Sequence, residues 1–278
     1  MVEVRTTPAM DNGLFASKPI PRGTRILIET PLIAIPSGHG EDAEIAAFCN
    51  ALMTLSEADC NTLDGLHCNT EVNTAKRRAK IYQWCREHGM AETSQRDEKA
   101  KGLNDVAEVT SKRYAIFNSN KMNMAKGFDG AGGVAVYTLF SRMNHSCVPN
   151  VHNIYNPTLQ RLTVHANQDI EAGEQLFIAY FRTACRTLQE RRAFMKVWGF
   201  VCSYVLCTDP STDMEKRRMS GLYRGLVTYE RTSPNARVAS GAGASAVPRD
   251  ATEALRDAEE FLGLLKKQGL VGVELRQT

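Results

Sequence analysis

Apolar positions recur along this chain in two periods, and the switches between them divide it. Leu14-Phe15-Ala16 is a short apolar run, Lys18 to Gly23 carries the turn residues Pro19, Pro21 and Gly23, and Thr24 to Glu29 is apolar and β-branched. Leu14 to Ile35 therefore predicts β-structure, limited where Pro31 and Pro36 withhold a ladder N–H. From Glu41 to about Arg113 the period changes. Ile45, Phe48, Leu52 and Leu55 fall at three- and four-residue spacing, the mark of an amphipathic helix. Ser56-Glu57-Ala58-Asp59 predicts a second helix with Ser56 as its N-cap, and Ile81, Trp84 and Cys85 mark a further stripe. The stretch reads as a helical insertion between two β-rich parts.

Asp129 to Gly133 predicts a flexible loop, and β-character returns from Val134. Arg161 to Ala166 and Gln175 to Phe181 predict strands, with a turn at Asp169 to Glu174 between them. That turn echoes the first one: Ile20-Pro21-Arg22-Gly23 and Ile170-Glu171-Ala172-Gly173 share an I-x-x-G plan before an apolar run. Helical spacing resumes over Thr187 to Trp198, with Gly199 as a stop, and again over Met214 to Tyr229. Ala239 to Val247 is a small-residue linker, expected to be mobile. Arg249 to Gln268 predicts a last helix with Leu255, Ala258, Phe261, Leu262 and Leu265 on one side, ended by Gly269. The fold class expected is α+β.

Composition narrows the function classes. The chain has 278 residues, enough for one large domain or a domain with a helical appendage. Lys plus Arg is 34 against 31 for Asp plus Glu, a net +3 with no long basic run, so direct nucleic-acid binding is not expected. Met1 to Gly13 is polar and lacks the apolar core of a signal peptide, and no apolar run has membrane-spanning length. The expectation is an intracellular protein, in nucleus or cytoplasm, without a membrane partner. Its eight cysteines are then reduced thiols or metal ligands.

Candidate chemistry is concentrated in Asn144-His145-Ser146-Cys147-Val148-Pro149-Asn150 and, about thirty residues later, Gly173-Glu174-Gln175-Leu176-Phe177-Ile178-Ala179-Tyr180. An amide beside an imidazole, just before turn formers, can hold a polar ligand by directed hydrogen bonds or can satisfy buried backbone groups. Gly13-Leu14-Phe15-Ala16 and Ile20-Pro21-Arg22-Gly23 precede both segments, and Gly199-Phe200-Val201-Cys202-Ser203-Tyr204-Val205-Leu206-Cys207 follows them. In this order the set resembles the SET domain, in particular SET proteins of the SMYD-like and fungal type, over roughly residues 3 to 210.

The resemblance implies a β-rich fold of several small sheets with a threaded pseudoknot, and transfer of a methyl group from S-adenosylmethionine to a lysine side chain. It implies a SET domain over 1–185 with the insertion at about 41–113, a post-SET segment over 186–210, and C-terminal helices over 211–278 with a flexible linker at 239–248. Tyr180 is the residue implied for catalysis, with Tyr137 as an aromatic of the lysine channel. The cofactor would be held by Asn12, Gly13, Leu14, Asn144, His145, Tyr180 and Phe200. For Tyr137 and Phe200, ordinary core packing is an equal reading. The implied partner is a protein or peptide that presents a lysine from an extended strand. The competing reading is a divergent member that has lost protein methylation and acts as a binding module or on a small molecule.

Two departures bear on that choice. Asp11 stands where the family usually has a glycine that lets backbone approach the cofactor. Relatives with a post-SET segment bind one zinc with four cysteines. Cys147, Cys202 and Cys207 match three of them, and Tyr204 stands at the fourth. Three thiolates and a phenol make a poor tetrahedral set, so little or no tightly held zinc is expected. Cys185 is a conceivable substitute without support from spacing. Cys49, Cys60, Cys68 and Cys85, with His67 and His88, crowd the insertion but form no C-x-x-C pair, so they read as buried helical thiols and not as the MYND zinc module of SMYD relatives.

Overall fold

A computed structural model describes residues 1–7, 11–36, 40–90, 102–124, 132–181, 183–232 and 247–270. The chain opens with β1 (Val2–Thr7), β2 (Asp11–Ala16), β3 (Arg25–Glu29) and β4 (Ile33–Pro36). Four helices follow: α1 (Glu41–Thr54), α2 (Glu57–Asp64), α3 (Ala75–Glu87) and α4 (Leu103–Asn120). Then come β5 (Met122–Met124), β6 (Gly133–Val136), β7 (Asn144–His145), β8 (Val151–Asn156), β9 (Arg161–Ala166) and β10 (Phe177–Ile178). The C-terminal part holds α5 (Leu188–Met195), the short α6 (Val205–Thr208), α7 (Thr212–Arg231) and α8 (Ala251–Lys267).

The strands make four small sheets: β1-β2, β3-β9-β8, β4-β6-β5 and the parallel pair β7-β10. The repeated I-x-x-G units lie against each other. Ile20 and Ile170 form an antiparallel bridge in which each N–H donates to the other's carbonyl, and Gly23 and Gly173 take φ of 83° and 84°. The echo is thus a pair of matching turns that tie the N-terminal strands to the motif-bearing segment, with glycine at the position where a side chain would strain the backbone.

The helical insertion shares a core with Ile33, Ile35 and Val136 of the β4-β6-β5 sheet. Phe48, Ile81, Trp84, Cys85, Ile116 and Phe117 are buried together, and Ser56 caps α2 as expected by accepting from the Asp59 N–H. Burial pushes the Cys49 thiol up to about 12, and Cys85 lies beside it, so these are inert core thiols.

Several expectations need correction. The insertion runs on to Asn120, past Arg113, because Ile116 and Phe117 continue the buried stripe. The strand expected over Gln175 to Phe181 forms a ladder only at Phe177–Ile178, with an isolated bridge from Gln175 to Phe15, since side chains rather than a neighbouring strand take the N–H groups of Phe177 and Tyr180. Of the apolar row on α8 only Phe261 and Leu265 are buried, while Leu255 is 62% and Leu262 39% exposed: α7 covers one narrow stripe and no more. The polar N-terminus is a strand, β1, which a search for apolar runs passes over. Gly133 begins β6, and positions 129–131 and 239–246 of the two expected loops lie outside the described residues. Among the described residues no helix is long and apolar enough to cross a membrane.

Candidate active site

The two motif segments meet as neighbours. β7 and β10 run parallel, with Asn144 opposite Phe177 and His145 opposite Ile178, and Ser146 N–H donates to the Ile178 carbonyl at 3.0 Å. Two residues of the first motif, Asn150 and His145, clamp the second. Asn150 accepts the Phe177 N–H at 2.8 Å and donates to the Gln175 carbonyl at 2.8 Å and to Glu174 at 3.1 Å. His145 accepts the Tyr180 N–H on Nδ1 at 3.1 Å. The final asparagine of the first motif was passed over as a site residue. Its two-way amide is what a segment short of strand partners needs.

That contact also sets the charge and tautomer of His145. Burial lowers its pKa to about 4, so the ring is neutral near pH 7. Because Nδ1 accepts from an amide, the ring proton is on Nε2, which lies 3.4 Å from Cys147 Sγ. His145 therefore satisfies a buried backbone group on one side and donates to a sulfur on the other.

Tyr180 is brought to the same place. Its hydroxyl donates to the Met143 carbonyl at 2.9 Å, and burial pushes it up to about 12. Its ring lies 5.3 Å from His145, 5.2 Å from Trp198 and 5.9 Å from Phe200, the last edge-to-face at 84°. Phe200, expected at the cofactor, is thus part of the Tyr180 surround. Trp198 was read only as a helix residue. It arrives because α5, started by a Thr187–Glu190 capping box, ends in a 3-10 turn that Gly199 closes with φ 73°. Tyr137 is placed differently: its ring is fully buried, packs edge-on to Phe140 at 6.0 Å, and its hydroxyl has no partner among the described residues.

The N-terminal loop reaches the site through Asn12, whose carbonyl accepts from the Asn144 side chain at 3.3 Å. Leu14 puts its side chain into the core, and its carbonyl takes the Leu176 N–H at 2.8 Å. A Cβ on Gly13 would come within 2.3 Å of Gln175 Nε2, so a larger residue there would displace that amide. The same Nε2 is buried with no partner among the described residues, a donor available to a polar ligand at this loop. Asp11 pairs with Thr7 in β2 and is not among the positive-φ positions, so its backbone does not demand glycine there.

Behind His145 the thiols of Cys147, Cys202 and Cys207 are buried together, with Cys147 and Cys207 sulfurs 3.2 Å apart. Cys147, Cys202 and the nearby Arg191 hold the Cys207 thiol well below its usual range, while Cys147 is pushed up. Cys185 packs instead against the α7–α8 core. Val201 and Tyr204 are 83% and 42% exposed, so the segment after Gly199 is packed through Phe200, Leu206 and the sulfurs.

A family model described as the SET domain matches residues 11–181. The chain is 27% identical over 250 residues to the histone-lysine N-methyltransferase set5 of Schizosaccharomyces pombe, covering 90% of this chain and 61% of that protein. It is 31% identical over 109 residues to the histone-lysine N-methyltransferase SMYD3 of Mus musculus, covering 39% of this chain and 23% of that protein. A solved structure of the SET domain of LSMT bound to lysine and AdoHcy aligns over 96% of this chain and 74% of that one, at 14% identity and a TM-score of 0.33. The chain thus spans about three fifths of the length of set5, and the family match takes in both motif segments, the insertion between the sheets and Tyr180. This protein belongs to the SET domain family.

Proposed function

We propose that this chain moves a methyl group from S-adenosylmethionine to the side-chain amine of a lysine in a protein. The observation that carries the reading is Tyr180: a neutral phenol tied to the Met143 carbonyl, beside His145 and Asn144, with Trp198 and Phe200 around its ring. S-adenosylmethionine, when bound, supplies a methyl carbon on a positively charged sulfur.

The chain's own residues do the rest. Tyr180 spends its proton on Met143, so its oxygen offers acceptor lone pairs to a lysine N–H or a polarised methyl on its other side. It orients and does not attack. Trp198, Phe200 and the Tyr180 ring keep water out. A lysine ammonium loses hydration there, which favours the neutral amine that the reaction needs. Aromatic faces also attract a methylated ammonium once it forms. The Asn144 amide, the backbone of Asn12, Gly13 and Leu14 and the unpartnered amide of Gln175 suit a ligand with a carboxylate, an amine and a purine.

The relatives' names make core histones the first substrates to try, and the reading goes with a nuclear or cytoplasmic protein. The test incubates the full chain with methyl-labelled S-adenosylmethionine and core histones, then with a whole-cell protein extract, and maps label by mass spectrometry. Label on lysines is expected. Saturable cofactor binding by calorimetry with no label on any protein would overturn the reading in favour of a SET protein that has lost protein methylation.

A further inference from the structure

The sheet β3-β9-β8 turns one face to the core and the other outward. Leu27, Val151, Leu162, Val164 and Ala166 point inward and are buried. The alternate positions line up in rows across the three strands. Arg25, His165 and His152 form one row, Ile28, Thr163 and Ile154 the next, and Arg161 pairs with Asn156 in a third. Outward positions of an antiparallel sheet with one solvated face are ordinarily polar. Here the middle row ends in isoleucine on both sides, Ile28 42% and Ile154 57% exposed, with Thr163 buried between them. Leu159, in the turn from β8 to β9, is also exposed. One exposed aliphatic side chain is ordinary, but an aliphatic row between two cationic flanks has the make-up of a contact surface.

The charge on this face has one sign. Arg25 and Arg161 make no hydrogen bond or ion pair among the described residues. Glu29 is the one carboxylate in the three strands, and it points inward to the N–H groups of Leu139 and Phe140. From Val151 to Asn167 the chain has no Asp or Glu. His152 and His165 stack with ring centroids 5.3 Å apart, and His152 Nδ1 lies 2.7 Å from Asn167 Oδ1. A neutral imidazole can give an N–H to a carboxylate, and a protonated one meets it with charge as well. The outward rows hold no Phe, Tyr or Trp, the rings on which single-stranded nucleic acid would stack. An aliphatic row flanked by cations suits a polypeptide better.

We propose that this outer face docks an acidic polypeptide segment that carries a row of aliphatic side chains with carboxylates on both flanks. The aliphatic side chains cover Ile28, Thr163 and Ile154. The carboxylates reach Arg25 and the two histidines on one side and Arg161 on the other. Neighbouring strands lie about 4.8 Å apart, so a row across three strands spans about 10 Å, the diameter of one helix. An amphipathic helix with leucines on one face and glutamates beside them matches that width. None of these docking residues surrounds Tyr180, so partner binding and methyl transfer are separate properties of the chain.

The test titrates the full chain, labelled at its isoleucine methyl groups, with a helical peptide that has leucines on one face and glutamates on both flanks. Methyl signals of Ile28 and Ile154 are expected to shift and saturate together, while those of Ile45 and Ile81 in the insertion core stay in place. A peptide with lysines for the glutamates, one with alanines for the leucines, an oligouridylate and phosphatidylserine vesicles should leave Ile28 and Ile154 unmoved. Ile154→Glu should weaken the glutamate peptide about tenfold or more, because it sets like charge against like. Arg25→Glu combined with Arg161→Glu should do the same, and Arg25→Lys with Arg161→Lys should keep most of the affinity. All three positions are exposed, and an unchanged urea midpoint confirms that each variant is folded. No saturable shift at Ile28 and Ile154, equal affinity in Ile154→Glu, or equal binding of the lysine or alanine peptide would overturn the proposal. Equal or larger shifts with the oligouridylate or the vesicles would overturn a polypeptide as the occupant. The readout needs no S-adenosylmethionine, so a chain that methylates nothing still gives an answer.

Discussion

The helical insertion and the motif region bury comparable cores and treat polar groups differently. In the insertion several buried polar groups are matched, although Asn73 Oδ1 has no partner among the described residues. Arg113 forks onto Asp64 at 2.9 and 3.0 Å, Tyr114 donates to Glu44 at 2.8 Å, and Ser119 donates to the Ala115 carbonyl while accepting the Asn69 N–H. In the motif region the hydroxyls of Tyr137 and Ser141, the amide of Gln175 and Nε of Arg191 are buried without partners among the described residues. An unpaired buried polar atom costs about 1–3 kcal/mol, so a fold that needed only stability would remove such atoms. At the motif segments the buried amide of Gln175 leaves hydrogen-bonding capacity for something the chain binds.

Tyr180→Phe should separate the two regions most sharply. It removes one oxygen and leaves the ring among His145, Trp198 and Phe200. Methyl transfer is expected to fall about 10²–10³-fold, the loss seen when one orienting hydrogen-bonding group is removed from a reacting centre. Stability should change by only about 0.5–1.5 kcal/mol, for the bond to Met143. Single-turnover assays beside calorimetric S-adenosylmethionine binding make the measurement. A full rate in the variant would remove the phenol from the mechanism.

Phe48→Ala is the converse. Phe48 is fully buried and touches the rings of Tyr114 and Phe117 at 5.2 and 5.1 Å. Truncating a buried phenylalanine costs about 3–5 kcal/mol, read as a lower urea midpoint. The folded fraction should bind cofactor with unchanged affinity. If affinity falls in step with stability, the insertion is coupled to the site and the division drawn between them fails.

The same contrast explains what could be read from the sequence. The insertion was legible as helices because its side chains repeat at helical spacing, and Ser56 marked its own cap. The motif segments were legible as a pair, and so were Tyr180, His145 and Asn144, because their chemistry is local. What was not legible is where backbone groups find side-chain partners. Gln175 to Phe181 is apolar enough to be a strand, yet Asn150 and His145 take its N–H groups, and no spacing rule links residues 27 and 35 positions apart. Trp198 looked like the end of an amphipathic helix. It reaches Tyr180 only because the chain reverses at Gly199. Arg191 stands between Glu190 and Arg192 in a charged run, and only packing reveals it as buried.

Glu29 tests the join between the sheets and the site with a smaller effect. Its carboxylate accepts the N–H groups of Leu139 and Phe140, both at 2.8 Å, and so holds the turn that leads into Met143 and Asn144. Burial raises its pKa in spite of those two bonds. Glu29→Ala leaves both amides without that acceptor, an expected loss of about 1–3 kcal/mol. The KM for S-adenosylmethionine should rise more than kcat falls, because Asn144 shifts while Tyr180 stays. An unchanged KM would show that β7 is positioned by its pairing with β10 alone.

Glu41 carries the mildest effect and belongs wholly to the insertion. Arg77 and Lys80 both hydrogen-bond its carboxylate, at 2.6 and 3.0 Å, and hold its pKa at about 2 against an ordinary 4.5. The folded form thus stays ionised where the unfolded form has taken up a proton. Stability from this contact is fully present above pH 4.5 and is lost progressively as pH falls toward 2. The side chain is about a third exposed, so solvent screens much of the interaction and the loss should be small. Urea midpoints measured from pH 6 down to pH 3 should fall less steeply in Glu41→Gln than in the parent chain. Parallel curves would mean that the tie between α1 and α3 rests on Phe48, Ile81 and their neighbours rather than on charge, which would make the insertion an even plainer apolar counterpart to the polar site it faces in sequence.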